Sequence, residues 1–217
     1  MEAITGRRGV PDLREGDSHR KHIIIFVGPE GSGKSSQAKL LADQIGLPFL
    51  TYGDVFRRAA EEDDTCIGDE CRRAFREHDY IKLPVLKELI SREIKKEECQ
   101  GGVVIDGALR IPGEVETFEE LLQLAGIENP IIFVFYLRIP GWKSFERLVD
   151  GRRRQDDTID AVQSRLFNFY SDLGKRMADV RKRSDRNGDW RFIQINANRT
   201  IEEVGGEILD KFEHEDD

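Results

Sequence analysis

Between His22 and Gln37 the chain reads HIIIFVGPEGSGKSSQ: an apolar run, a glycine turn, a lysine, and two hydroxyls in immediate succession. Gly28, Gly33, Lys34 and Ser35 stand at the fixed places of G-x-x-x-x-G-K-[ST], a pattern whose residue types suit a polyphosphate. Gly31 and Gly33 let the backbone curl with its N–H groups inward, in dihedrals that a side chain resists. The helix that should follow adds its unpaired N-terminal N–H groups to the same anion. Gly28, Gly31, Ser32, Gly33, Ser35 and Ser36 form the cradle, and Lys34 supplies a point charge for the outer phosphates. Ser35 or Ser36 offers an oxygen toward Mg²⁺. ATP is the first candidate ligand.

A loop of this kind needs a strand before it and a helix after it, and the rest of the chain supplies more of both. Apolar runs predict strands at Ile23–Val27, Pro48–Thr51, Val103–Asp106, Ile131–Leu137 and Phe192–Asn196. Helical spacing predicts helices over Lys34–Ile45, Asp54–Glu61, Asp69–Glu77, Pro84–Glu97, Gly113–Ala125, Gly141–Asp150, a long Thr158–Lys182, and Ile201–Phe212. This alternation implies an α/β fold of the P-loop NTPase type, a three-layer sandwich around a five-stranded parallel sheet. Ligands of such sheets lie at the carboxyl ends of the strands. The loop at Gly28, the Gly53–Asp54 turn and the Asp106–Gly107 turn should therefore share one edge. Residues 53–83 read as a helical insertion, 151–158 as a short basic one, and 1–20 as a loose extension before a domain covering 21–214.

Composition narrows the function classes. The 217 residues carry a net charge of −8, which argues against a general nucleic-acid binder. No apolar run approaches the length of a membrane span, and the first twenty residues lack the apolar core of a secretion signal. Cys66, Cys71 and Cys99 are odd in number and not spaced for a metal, which points to reduced thiols in the cytoplasm. Arginines concentrate between Arg138 and Arg191, and the run Arg152–Arg154 repels itself unless an anion gathers it. His19, His22, His78 and His214 lie in polar or terminal contexts, and no serine–histidine pair suggests itself as a nucleophile.

Taken in order, these segments resemble the adenylate kinase family of nucleoside monophosphate kinases, from about His22 to Phe212. GPEGSGKSSQ is similar to that family's phosphate loop, and TYGDVFR (Thr51–Arg57) to the turn opening its monophosphate-binding subdomain. IDGALR (Ile105–Arg110) resembles its Asp-Gly-aromatic-Pro-Arg segment, FERLVDGRRRQDD (Phe145–Asp157) its arginine-bearing lid, and SRLFNFY (Ser164–Tyr170) the arginine helix after it. The resemblance implies that Lys34 and the loop amides hold the donor phosphates, and that Arg147 lies against the donor base. It implies that Arg57 and Arg110 hold the acceptor's monophosphate, with Tyr52, Gly107 and Glu114 lining that site. Arg154 and Arg165 would close on the transferring phosphoryl group. Asp106 would orient water around Mg²⁺; Asp54 would either do the same or cap its helix. A monomer acting on ATP and a nucleoside monophosphate, without nucleic acid or membrane, completes the expectation.

The departures from the family pattern gather at the acceptor. Tyr52 replaces a small threonine, Leu109 a proline, and Glu114 the glutamine of adenylate-specific members. An ionised Glu accepts only, which suits a base edge rich in N–H donors. In the phosphate loop Glu30 replaces a proline, and an acid there opposes phosphate unless it points outward or meets a lysine. AMP is the first acceptor to expect, with UMP/CMP, GMP or dAMP open. Two rivals remain: a P-loop kinase of another small molecule, and a nucleotide-binding regulatory protein that transfers nothing.

Overall fold

The computed structural model describes residues 21–150, 158–186 and 188–216. Strand β1 (His22–Val27) is buried along its whole length, as is β3 (Gly102–Asp106), and β4 (Ile131–Arg138) is exposed only at its last residue. With the edge strands β2 (Phe49–Thr51) and β5 (Trp190–Asn196) they form a parallel five-stranded sheet in the order β2-β3-β1-β4-β5. Runs without polar alternation must be covered on both faces. Residues of β1 show how this is done. Ile23, Ile25 and Val27 belong to one apolar cluster, Ile24 and Phe26 to the other, following the strand period of two.

On the second face, Ile24 and Phe26 meet α1 (Lys34–Ile45) through Ala38 and Leu41, and α9 (Ile201–Asp216) through Val204, Ile208 and Phe212. On the first, α4 (Leu83–Ile94), α5 (Glu114–Leu124) and α8 (Leu173–Arg186) bring Leu86, Ile90, Phe118, Leu121 and Val180 against the sheet. Each fully buried aromatic or branched side chain in these layers contributes about 1.5–3 kcal/mol of transfer free energy. The result is the expected three-layer α/β sandwich. β1 lies between β3 and β4, and the chain leaves β1 at the edge where ligands of such sheets bind.

The segment expected as an insertion, residues 53–83, is occupied by α2 (Tyr52–Glu62) and α3 (Cys66–Glu77). Thr51 caps α2, its Oγ1 accepting from the Asp54 N–H at 3.4 Å, so Asp54 is a first-turn residue and not the cap. In α3 the Arg73 fork binds Glu70, Glu77 and Asp79 together. That guanidinium holds the Glu70 carboxyl down to about 2. Cys66 is exposed and Cys71 and Cys99 are buried, all three as free thiols. Burial pushes the Cys71 and Cys99 thiols up to about 11, which keeps them unreactive.

Several expected boundaries move by two to four residues, and two helices change more in kind. The helix expected over Pro84–Glu97 stops at Ile94 and is followed by a single 3-10 turn, Glu97–Cys99. The long helix expected over Thr158–Lys182 is two, α7 (Ile159–Ser171) and α8, broken at Asp172. Near the break the Ser171 hydroxyl donates back to the Phe167 carbonyl, and the Phe169 carbonyl, which an uninterrupted helix turns toward the Leu173 N–H, accepts from Arg176. α6 (Gly141–Asp150) precedes α7. The N-terminal extension and residues 151–157, including Arg154 and nearly all of the expected lid, lie outside the described residues. Among the described residues, no helix is long and apolar enough to cross a membrane.

Candidate active site

The chain leaves β1 at Val27 and turns through Pro29, whose carbonyl accepts from the Ser32 N–H at 3.2 Å. Gly31 (φ 79) and Gly33 (φ 84) take left-handed backbone, and Gly33 caps α1. At Gly31 the demand is double, since a Cβ there would lie 2.8 Å from the Ser144 carbonyl oxygen. Lys34 opens α1, is 7% exposed, and folds its ammonium back to the Pro29 carbonyl at 3.4 Å. Its charge is thus held above the loop, beside the N–H groups that begin α1.

Helices α6 and α7 close on this loop from outside. The Ser144 hydroxyl, fully buried, donates to the Glu30 carbonyl. Arg147, one turn later, donates to the carbonyls of Gly31 and Ala197, each at 3.2 Å. Arg165 of α7 pairs through Nε with the Glu30 carboxylate at 2.9 Å. The cation that Glu30 meets is therefore an arginine from 135 residues away in sequence, and not a lysine. Beside Arg147 lies a cavity of about 360 Å³, walled by Gly33 and Gln37 on one side and by Ala197, Thr200 and Val204 on the other.

At the end of β3, Asp106 is 7% exposed and pairs in register with Phe26 of β1 and Thr51 of β2. Its Oδ2 accepts from the Ser35 hydroxyl at 2.5 Å, so the structure brings Ser35, rather than Ser36, to the carboxylate. Asp106 Oδ1 is buried with no hydrogen-bond partner among the described residues. A hard, oxygen-only donor set with one carboxylate oxygen unspent fits Mg²⁺. Asp54 sits apart from that pair in its contacts: its exposed carboxylate binds Arg57 of the same helix.

The residues expected to hold the acceptor gather around Gly107. The guanidinium of Arg110 and the Cβ of Tyr52 would stand 3.4 and 3.5 Å from a Cβ at that glycine, and the Arg57 fork approaches Gly53 in the same way at 3.4 Å. Tyr52 is 3% exposed and stacks edge-on to Phe56, so it acts there by volume rather than as an open wall. Burial, and then Glu114, raise its hydroxyl well above 10. Glu114 corrects the sequence expectation. It is 1% exposed, and its carboxylate accepts from the N–H groups of Leu109, Arg110 and Ile111 at 2.7, 2.7 and 3.2 Å. With both oxygens spent on the loop, Glu114 does not present an edge to an acceptor base. Burial raises its carboxyl and the three N–H groups oppose that rise. Leu109 sits at φ 56, a value that a pyrrolidine ring cannot reach, so this turn is built differently from one carrying proline.

Sequence reasoning missed Ser144, and the Ala197–Val204 wall. The second was within reach: it follows β5 and therefore lies on the same sheet edge. Nothing in the sequence marks a serine inside an amphipathic helix as a partner of the loop. As arranged, the edge offers donor amides, a lysine and two arginines around one anion position, an oxygen pair fit for a cation, and two more arginines at neighbouring strand ends.

Comparison with known proteins agrees with this geometry. A family model described as an AAA domain matches residues 27–163. The adenylate kinase of Mycobacterium leprae is 32% identical over 149 residues, covering 69% of this chain and 80% of its own length. That of Mycobacterium tuberculosis is 31% identical over 143 residues, covering 66% and 77%. That of Micrococcus luteus is 30% identical over 150 residues, covering 68% and 72%. A phosphate loop, a parallel sheet and matches of this extent place the chain in the adenylate kinase family of P-loop phosphotransferases.

Proposed function

We propose that this protein moves the γ-phosphoryl group of Mg·ATP reversibly to a nucleoside monophosphate, with AMP the first acceptor, giving two ADP. The observation that carries the reading is the grouping on one sheet edge of Lys34, the Ser35–Asp106 pair and Arg165, with Arg110 and Arg57 at the ends of the two adjoining strands. One ring of cations suffices to bind ATP; a second is needed only when a second anion must be brought to the first.

In this reading an oxygen of the acceptor phosphate attacks the γ-phosphorus, and the bond from that phosphorus to the β–γ bridging oxygen breaks, leaving ADP on both sides. Little covalent work falls to the protein; positioning and charge stabilisation carry the reaction. Lys34 and the amides from Gly28 to Ser36 hold the donor phosphates. Arg147 lies along the donor base in the cavity beside the loop. Arg57 and Arg110 hold the acceptor phosphate, and Arg165, with Arg154, turns to the group in transit. Ser35 and Asp106 would hold Mg²⁺ directly or through water, with Asp54 reaching it only through water. When bound, the ion neutralises charge on the β- and γ-oxygens.

A panel of AMP, dAMP, GMP, CMP and UMP with Mg·ATP, read as ADP formed above a water blank, tests the reading. AMP should be turned over fastest, and Lys34→Met should remove transfer by about 10³-fold or more while leaving the melting temperature near that of the parent. Tight ATP binding with no monophosphate-dependent ADP would reassign the chain as a nucleotide-binding regulator.

A further inference from the structure

One buried charge is used by none of these steps. Arg176 of α8 is 1% exposed. Its Nη1 donates to the Leu109 carbonyl at 2.8 Å and its Nη2 to the Phe169 carbonyl at 2.5 Å, while the guanidinium lies 5.0 Å over the Phe169 ring. Its Nε has no partner among the described residues, and no ion pair of Arg176 occurs among them. Burying a guanidinium on two carbonyls and a ring face is costly, and an apolar residue of like volume would fill the space more cheaply. Such a group persists where it fixes something.

What it fixes is one side of the Leu109 turn. The other side is held by Glu114. Leu109 is gripped at both ends by buried opposite charges, its N–H by the carboxylate and its C=O by the guanidinium. The grip has a reason: left-handed backbone disfavours a residue with a side chain, and Leu109 stands at φ 56. Hydrogen bonds to charged groups are stronger than those between neutral groups, and two of them hold the turn from its two ends. The next residue is Arg110. Its own N–H also goes to Glu114, and its guanidinium lies over Gly107.

We propose that Arg176 and Glu114 are positioning residues that jointly set the Leu109 turn and so aim Arg110 at the acceptor phosphate. Through the Phe169 carbonyl the same guanidinium ties this turn to α7, four residues beyond Arg165, so the acceptor-side arginine and the α7 arginine share one support. The part of the proposal that concerns Arg110 rests on the phosphoryl-transfer reading above; the grip on the turn does not.

The test uses the full chain with Arg176→Met, Arg176→Lys, Glu114→Gln and the Arg176→Met/Glu114→Gln double variant. Arg176→Met removes both donors from an unbranched stem; Arg176→Lys keeps the charge but cannot span two carbonyls. Amide hydrogen exchange over residues 107–113 should run about tenfold faster in each single variant, with the β1 and β4 segments unchanged. The KM for AMP should rise about tenfold while the KM for ATP stays within about twofold. In the double variant the loss should be well below the sum of the singles, because both act on one turn. Parental exchange over 107–113 in the Arg176 variants, or KM values that rise together for both substrates, would overturn the proposal. If Arg176→Met does not fold, Arg176→Lys decides by the same readings. If the unaltered protein phosphorylates no nucleoside monophosphate, the functional reading falls and exchange alone decides the grip.

Discussion

Two glycines of the phosphate loop make a controlled pair. Gly31 and Gly33 share left-handed backbone, at φ 79 and φ 84, so alanine at either position bears a similar conformational cost of about 1–2 kcal/mol. Their surroundings differ. A Cβ at Gly33 meets nothing within 4 Å, whereas one at Gly31 lies 2.8 Å from the Ser144 carbonyl oxygen. That oxygen is helix backbone and cannot swing aside, so α6 must retreat. Retreat strains the Ser144 hydroxyl's bond to Glu30 and the Arg147 bond to Gly31. Overpacking of this kind costs a further 1–3 kcal/mol or so. Gly31→Ala should therefore lose about 3 kcal/mol and Gly33→Ala about 1.5 kcal/mol, which in a chain of this size lowers the melting temperature by about 6–12 °C and about 3–6 °C. Calorimetry or thermal circular dichroism without nucleotide reads the difference. If Gly33→Ala proves as destabilising as Gly31→Ala, the contact between the loop and α6 does not bear the load assigned to it.

Other substitutions separate the parts of the site. Asp106→Asn keeps the volume and an acceptor for Ser35 but removes the charge; kcat should fall about 10²–10³-fold with little change in melting temperature, and a stopped-flow assay over a Mg²⁺ series should reach half-maximal rate only at higher Mg²⁺ than the parent. Arg147→Ala should raise the KM for ATP about tenfold and leave the KM for AMP unchanged, since Arg147 binds the loop and the wall after β5 and nothing on the acceptor side. Away from the site, Arg73 depresses the Glu70 carboxyl from 4.5 to about 2. The stability this adds is complete above pH 4.5 and fades as pH falls toward 2, so the melting-temperature gap between the parent and Glu70→Gln should narrow across that window. A gap that stays constant from pH 6 to pH 2 would show that the Arg73 network contributes through packing alone.

Strands and the phosphate loop were legible because their signals are local. Apolar runs with period-two packing on both faces define β1, β3 and β4, and the glycine–lysine spacing forces the loop that follows β1. The acceptor turn was not legible. Its shape depends on a left-handed leucine, a conformation that sequence advertises only through glycine or asparagine, and on a charge 67 residues away that holds the Leu109 carbonyl. Which way the Glu114 carboxylate faces follows from that turn and not from its residue type. The break at Asp172 is different: Ser171, Asp172 and Gly174 are weak helix formers that the sequence does show, and Arg176 of α8 takes the Phe169 carbonyl there. Glu30 looked adverse in isolation because its partner Arg165 lies on a helix folded back across the loop.

Lys34, Arg147, Arg165 and Arg57 each rest on an oxygen of the protein itself. Lys34 is on the Pro29 carbonyl, Arg147 on those of Gly31 and Ala197, Arg165 on the Glu30 carboxylate, and Arg57 on Asp54. In the proposed function, phosphate oxygens entering here would take over some of these contacts, so the net gain on binding would be a difference between two sets of charge-assisted bonds. For Arg165 the exchange would be carboxylate for phosphate, leaving Glu30 without that partner beside an arriving anion. That would weaken donor binding relative to a loop with an apolar residue at that place, while the Glu30 contact holds Arg165 against the loop beforehand and would spare the ordering of a long side chain at the moment of binding. The net charge of −8 does not oppose this arrangement. At physiological salt the field of distant carboxylates fades within about 8 Å, so the local excess of lysine and arginine governs what the edge attracts.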